Sequence, residues 1–514
     1  MIPGPDDGGA TVLALIERQA AVRPADDFAI APETGRRLSF ADLHGCARTL
    51  AAHLDRHGVA SGQHVAMLLP NGLQALRLFI GTMAAGRVIV PLSLIAQPEQ
   101  WCQVIVHAEV VAVFVAPALE ERLLPALARL DRRVLVFSAD PDEITVAGET
   151  ENGAVAACQE PTPVTPALLM YTSGTTGRPK GALLTHRNVV TGARFVSGAH
   201  ALGPTDRVLA ILPLHHINAQ IVTALAPLFH GGSLVMPHRF SVGEFWRLAA
   251  AHACTWLNVV PTMIAYLLQD EGGPQNAASR ARLRFCRSAS APLPPAQHLA
   301  FEARFGVGII ETMGLTETAA PIFTNPLDPA RRKVGSAGQA YGCETRVIDP
   351  RSGRDVAAGL VGEIVVRGDN VMQGYFRAPQ ESAASFTPDG WLRTGDLGYR
   401  DRDGFHFITG RLKELIIKGG ENIAPRELDE VLLQHPAVLE AAVVGIPDDN
   451  YGQEILAAVV LRPGAACSEA VLREHCRERL GAFKAPQAIR FVSELPKGPS
   501  GKVQRMRLID GDWS

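Results

Sequence analysis

Cysteine is scarce and scattered in this chain. Its eight cysteines (Cys46, Cys102, Cys158, Cys254, Cys286, Cys343, Cys467 and Cys476) include no CxxC pair, so neither a disulfide framework nor a tetrahedral zinc site is expected. An excess of one charge is missing too: 49 Lys and Arg stand against 52 Asp and Glu, a formal net charge of -3 in 514 residues. Without a basic surplus there is little to neutralise a phosphate backbone, which argues against nucleic acid as a partner. No run approaches the roughly 18 apolar residues of a membrane span. Residues 1–9 carry Asp6 and Asp7 but no basic stretch, and Glu17 and Arg18 interrupt the apolar segment at 11–16, so no signal peptide is read. The last residues, DGDWS, hold no retention or peroxisomal address. The cytoplasm is the expected location. What is plentiful is apolar residues, 47%, with 48 Gly and 36 Pro spread without period. The first excludes disorder, and the second implies many strand ends and tight loops.

The length suits about three domain-sized units or one large α/β body. In the first half, short apolar runs at 64–69, 87–92, 110–115 and 133–137 read as strands and 73–84 as a helix. That alternation marks βαβ units on a largely parallel sheet. After about residue 335 the texture changes to glycine-punctuated strands at 345–349, 362–367 and 404–409, which predicts an antiparallel, barrel-like stretch. A final module starts near Gly410 as helix 425–434, strands 439–445 and 455–461, helix 468–480 and strand 488–492. About a hundred residues suffice for a small α+β unit with its own core. The fold class is therefore α/β. A large N-terminal body, 1–410, has mixed and parallel sheets wrapped by helices and a β-barrel-like part. A small α+β unit, 411–514, follows it.

The sharpest local feature is residues 171–181, YTSGTTGRPKG, after an apolar strand at 167–170. Gly174, Gly177 and Gly181 let the backbone turn and aim N–H groups at an anion. Thr172, Ser173, Thr175 and Thr176 add hydroxyl donors, and Lys180 adds charge. This is chemistry for a polyphosphate, but no GxxxxGK[ST] can be read, so the loop is not a Walker A loop.

Four further motifs follow in order: ETMGLTE at 311–317, WLRTGD at 391–396, GRLKELIIKGGEN at 410–422 and LPKGPSGK at 495–502. With the glycine-rich loop, this series resembles the adenylate-forming superfamily of acyl-CoA synthetases, nonribosomal adenylation domains and luciferase-like enzymes. The resemblance spans nearly the whole chain. It implies ATP, Mg2+ and coenzyme A as cofactors and substrates, and a small, mobile C-terminal lid hinged near Lys413.

The resemblance also implies roles. Thr172, Ser173, Gly174, Thr175, Thr176, Gly177 and Lys180 would hold phosphates. Glu317 is similar to the family's Mg2+-holding glutamate, and Thr316 would reach a phosphate oxygen; one carboxylate plus phosphate oxygens is usual for this hard cation. Glu311, Thr312 and Met313 would face the nucleotide. Met313 stands where the family usually has an aromatic residue, and its polarizable sulfur can lie against adenine. The other adenine wall would come from residues 287–292, RSASAP. Asp396 matches the residue that takes the ribose hydroxyls, and Arg411 adds a second ribose contact. Lys502 matches the catalytic lysine that bridges carboxylate and α-phosphate, a task suited to a compact point charge. Lys418, Gly419 and Gly420 would let a pantetheine arm pass after the lid rotates.

Residues 213–220, PLHHINAQ, occupy the place of the motif whose histidine approaches the acyl carboxylate, and His216 aligns with it. Asn218 and Gln220 follow at alternate positions. The resemblance implies an acyl pocket lined by His216, Asn218, Gln220, Ser288, Ala289 and Gly314; facing it, Asn218 and Gln220, with the Ser288 and Ser290 hydroxyls, would make it polar, unlike the apolar lining a long-chain tunnel prefers. Stretches at 239–262, 287–290 and 324–327 are similar to oxalate–CoA ligases, whereas 216–220 is similar to crotonobetaine/carnitine–CoA ligases. The leading reading is an AMP-forming acid–thiol ligase for a small or polar carboxylic acid. Alternatives are a stand-alone adenylation enzyme that loads a carrier-protein thiol, a medium-chain fatty acid–CoA ligase, and a non-catalytic paralogue. The last is disfavoured because Lys502 and Glu317 are present. Self-association into a homo-oligomer is left open.

Overall fold

Runs of Val, Ile and Leu with no polar face cannot sit at a sheet surface, and here they become the central strands of two large sheets. The structure is a computed structural model that describes residues 10–143, 160–172, 180–274, 277–497 and 503–509. Among these, one sheet has seven strands, in the order Gly374–Tyr375, Lys180–Thr185, Pro166–Thr172, Val88–Pro91, His64–Leu68, Ala112–Val115 and Leu135–Ser138. The last five are mutually parallel, and Lys180–Thr185 returns antiparallel beside Pro166–Thr172. The second sheet has nine strands. Its parallel heart is Ile309–Leu315, Phe285–Ser288, Trp256–Val259, Arg207–Leu209, Ser233–Val235 and Asp27–Ile30. Antiparallel strands close its edges at Ala320–Thr324, Gln339–Ala340 and Arg37–Ser39.

Helices fill the space between the sheets. Leu73–Ala84 is buried at all twelve positions, including the polar Gln74, Arg77 and Thr82, and the Arg77 guanidinium donates to Gln74 Oε1 at 2.9 Å. Phe40–Arg56 and His186–Ala199 each start with a capping box, Ser39 with Asp42 and Thr185 with Asn188. The Asn188 amide also donates to the Asp369 and Val371 carbonyls, which fastens this helix to the segment before Tyr375.

The change of texture after residue 335 corresponds to a four-stranded antiparallel sheet, Glu344–Ile348, Gly362–Arg367, Leu392–Arg400 and His406–Arg411. The chain then makes a short helical turn, Leu412–Glu414, and enters a small C-terminal domain. There the hairpin Ile416–Lys418 and Glu421–Ile423 accompanies a three-stranded sheet, Val438–Asp448, Gly452–Leu461 and Ala488–Phe491. Helices Pro425–Leu433 and Glu469–Leu480 cover that sheet. A separate core around Ile416, Leu428, Val443, Ile455 and Leu472 holds this domain together. Among the described residues no helix is long and apolar enough to cross a membrane, and the seven described cysteines are all free.

Candidate active site

Parallel strands direct their carboxyl ends toward one side of a sheet, and ligands of open α/β sheets bind there. Thr172 ends the strand Pro166–Thr172, and Lys180 opens the returning strand opposite it. The Thr172 hydroxyl donates to the Lys180 carbonyl at 3.5 Å, so the pair closes the base of the glycine-rich loop. Ser173, Gly174, Thr175, Thr176 and Gly177 lie outside the described residues.

One side chain ties the two large sheets together at this edge. Tyr375, on the strand paired with Lys180–Thr185, donates its hydroxyl to Glu317 Oε1 at 2.8 Å. Burial and the Glu317 charge push the phenol's pKa up. The Lys180 ammonium lies 5.5 Å from the Tyr375 ring centroid. Glu317 itself sits in the turn Thr316–Thr318, which follows the strand Ile309–Leu315. The next two residues, Ala319 and Ala320, both have positive φ (45° and 79°), a costly conformation for alanine that swings the chain back into Ala320–Thr324. Gly314 belongs to the same tight hairpin: a Cβ there would fall 1.5 Å from the Ala320 carbonyl oxygen.

Asp396 and Arg411 face each other across neighbouring strands. The Arg411 Nε donates to Asp396 Oδ1 at 2.9 Å; the carboxylate is buried and the guanidinium half exposed. Arg411 is held above its usual pKa by the Asp396 charge first, with Glu414 and Glu317 adding to it. These charges therefore lie within one another's field.

A second group gathers at the ends of Trp256–Val259 and Phe285–Ser288. Ser288 stands opposite Glu311, and the Thr312 hydroxyl donates to the Ser288 carbonyl at 3.5 Å. Ala289 is buried, and Ser290 adopts a left-handed φ of 74°. Glu311 is buried as well and accepts from the Leu293 N–H at 3.4 Å; burial raises its carboxyl pKa to about 7. Met313 is half-buried on the following strand positions. The rings of His215 and His216 contact each other at 4.2 Å between centroids.

Asn218 and Gln220 do not share a face. Alternation would align them on a strand, but they open a π-helical segment, Asn218–Leu225, where residues two apart point to nearly opposite sides. Asn218 donates to Ser290 Oγ at 3.1 Å. Gln220 is fully buried and spends its amide N–H on the Leu214 carbonyl at 2.6 Å and on the Met170 sulfur. Two further side chains join Asn218: Arg287, expected from the sequence only as part of the adenine wall, and Asn258, which the sequence reading does not place in a site. Arg287 Nη1 donates to Asn218 Oδ1 and Asn258 Oδ1 at 2.9 and 3.0 Å. The available signal was an arginine inside the otherwise uncharged strand Phe-Cys-Arg-Ser, since a charge in a buried strand needs a reason. Tyr375 is a residue that the sequence reading does not single out.

In the C-terminal domain, Lys418 is buried and paired with Glu454 at 2.8 Å, between the rings of Tyr451 and Phe483. The open part of that surface is Gly419 and Gly420, both exposed and at positive φ. Lys413 lies in the turn Leu412–Glu414. Lys502 lies outside the described residues, and Lys497 and Val503 on either side of its loop are bridged antiparallel.

Among the described residues no cluster of three or more His, Cys, Asp and Glu side chains could hold a metal alone. Nor does a Lys or Arg there come within ion-pair distance of Glu317, whose known partner is the neutral Tyr375 hydroxyl. A single uncompensated carboxylate fits Mg2+ that arrives with a phosphate ligand, and does not fit an all-protein metal cage.

Comparison with known proteins shows the family. The family described as AMP-binding enzyme matches residues 16–376, and the AMP-binding enzyme C-terminal domain matches residues 427–502. A sulfoacetate–CoA ligase of Cupriavidus necator is 55% identical over 502 residues, 97% of each chain. An oxalate–CoA ligase of Arabidopsis thaliana is 32% identical, over 96% of this chain and 97% of that protein. The crystal structure of ATP-bound MatB from Rhodopseudomonas palustris superposes with a TM-score of 0.89 at 31% identity, covering 98% of this chain and 99% of that one. The chain belongs to the AMP-binding enzymes of the adenylate-forming superfamily, as an AMP-forming acid–thiol ligase.

Proposed function

We propose that the enzyme joins a short, polar carboxylic acid to CoA using ATP, with sulfoacetate the first candidate. The carrying observation is the 55% identity, along 97% of both chains, to a sulfoacetate–CoA ligase. The polar cluster of Asn218, Asn258, Arg287 and Ser290 supports it, because such a lining disfavours an alkyl chain. In the first half-reaction a carboxylate oxygen bonds to the α-phosphorus of ATP as the bond to pyrophosphate breaks, which gives acyl-AMP. In the second, the CoA sulfur bonds to the acyl carbon as AMP leaves, and the thiol proton passes to solvent.

The residue roles proposed are those the family resemblance implies. Thr172, Ser173, Gly174, Thr175, Thr176, Gly177 and Lys180 cradle the phosphates, and Thr316 reaches one phosphate oxygen. Glu317, steadied by Tyr375, would hold Mg2+, which neutralises phosphate charge when bound. Glu311, Thr312 and Met313 face the adenine. Asp396 and Arg411 hold the ribose. His216, with Ser288, Ala289 and Gly314 around it, orients the acid, and Lys502 bridges its carboxylate to the α-phosphate. The domains divide at 410/411 with Lys413 at the hinge. The Gly419–Gly420 turn offers the pantetheine arm its passage, while Lys418 supports that turn through Glu454.

The test is CoA-dependent AMP release across sulfoacetate, oxalate, malonate, betaines, hydroxycinnamates and fatty acids of increasing length. Release with short polar acids is expected. Activity confined to the longest apolar acids overturns the proposal. Thioester formation on CoA but not on a pantetheinylated carrier protein separates this reading from the carrier-loading alternative.

A further inference from the structure

We infer that Arg287, with Asn218 and Asn258, is a receptor for a second anionic group on the acid, so that the enzyme selects short dianions over monocarboxylates. This deepens the function proposed above and rests on it.

Arg287 lies within the strand Phe285–Ser288, and only 2% of it is exposed. A buried guanidinium is costly unless a carboxylate balances it. Among the described residues no carboxylate lies within ion-pair distance of Arg287. Its Nη1 is spent on two neutral amide oxygens, and its Nε is buried with no hydrogen-bond partner there. Burial pulls its pKa down to about 9, so the folded protein pays for this charge without a counterion. Neighbouring His200 does not help, because burial, then the Arg287 charge, keeps it neutral. Glu311 sits beside Ser288, one position along, and therefore leaves the opposite face of the sheet from Arg287.

The surroundings point to a ligand and not to a mere strut. Arg287 and Asn258 are register partners near the carboxyl ends of parallel strands, the edge where the nucleotide and acid are proposed to bind. The Asn258 amide donates to Asn218 Oδ1 at 3.2 Å, and Asn218 in turn donates to Ser290 Oγ. Ser290 is held at a positive φ, strain of the kind stored at binding sites. A planar guanidinium with unspent N–H groups matches the oxygens of a sulfonate or a second carboxylate.

The experiment compares sulfoacetate with methylsulfonylacetate, an acid of nearly the same shape whose distal group is uncharged, in the full-length enzyme. The parent should favour sulfoacetate by roughly 100-fold or more in kcat/KM. Arg287→Met should collapse that ratio by about 100-fold, and Asn218→Asp, which places a carboxylate beside the guanidinium, should lower it in the same direction. An equal loss on both acids, or a ratio unchanged in both variants, overturns the receptor. If Arg287→Met does not fold, Asn218→Asp decides alone. A parent that turns over no short dianion at all defeats the proposed substrate instead, so the two failures are separable.

Discussion

Glu311 shows how a single buried carboxyl sets a pH dependence. Its side chain is 6% exposed, its Oε2 has no partner among the described residues, and burial lifts its pKa to about 7. The unfolded chain keeps an ordinary value near 4.5. Between these two values the folded protein binds more protons than the unfolded one, so stability falls as pH rises. The contribution is fully present below about pH 4.5 and is lost by about pH 7. For the ligand-free enzyme this amounts to at most about 3 kcal/mol. Glu311→Gln, a neutral mimic of the protonated carboxyl, should remove that slope. Urea unfolding of parent and variant at pH 5, 6 and 7.5 checks it, and parallel pH profiles would refute it.

At the scale of elements, the short helical turn Arg505–Leu508 anchors the end of the chain to the rest of its domain. Arg505 donates to both oxygens of Asp429 on the helix Pro425–Leu433, to the Val443 carbonyl, and to Glu414 beside the proposed hinge. Removing the cation strands a buried carboxylate, which typically costs about 3–5 kcal/mol. Arg505→Met should therefore lower the unfolding free energy of the C-terminal domain by that order. The double variant with Asp429→Asn should recover most of the loss, because the amide oxygen can still accept from the Val443 N–H. Hydrogen exchange resolved by domain, on parent, single and double variants, measures it. Elements of this kind differ in how far sequence exposes them. Leu73–Ala84 and Gly362–Arg367 are legible to the residue, because an apolar run bounded by turn formers has one way to be buried. The segment Asn218–Leu225 was not: eight residues are too few to separate helical from strand periodicity. The sequence therefore leaves open whether Gln220 shares a face with Asn218, and only the packed sheets reveal that Arg287 is buried with no counterion among the described residues. The nucleotide motifs were legible because their chemistry is local in sequence; the acyl end is assembled from strands and a helix that meet only in three dimensions.

At the scale of the molecule, the proposed function puts the phosphate and acid groups and Asp396 in residues 1–410, and Arg411, Lys502 and the Gly419–Gly420 turn in residues 411–514. Adenylation needs a cation between two anions, and thioester formation needs an open path for a thiol. Both address the same acyl carbon in the proposed reaction, and a turn of the smaller domain about the proposed hinge in Leu412–Glu414 would let each group reach it in its own step. The two half-reactions should then separate by mutation. Lys502→Ala should slow acyl-AMP formation by about 100-fold or more, since it removes the charge from the transition state, but should still convert supplied acyl-AMP to thioester. Lys413→Pro, which stiffens the turn, should slow thioester formation by roughly tenfold or more and leave pyrophosphate exchange much less affected. Single-turnover measurements of each half-reaction decide. Equal slowing of both steps in both variants would show that the domain does not move between them.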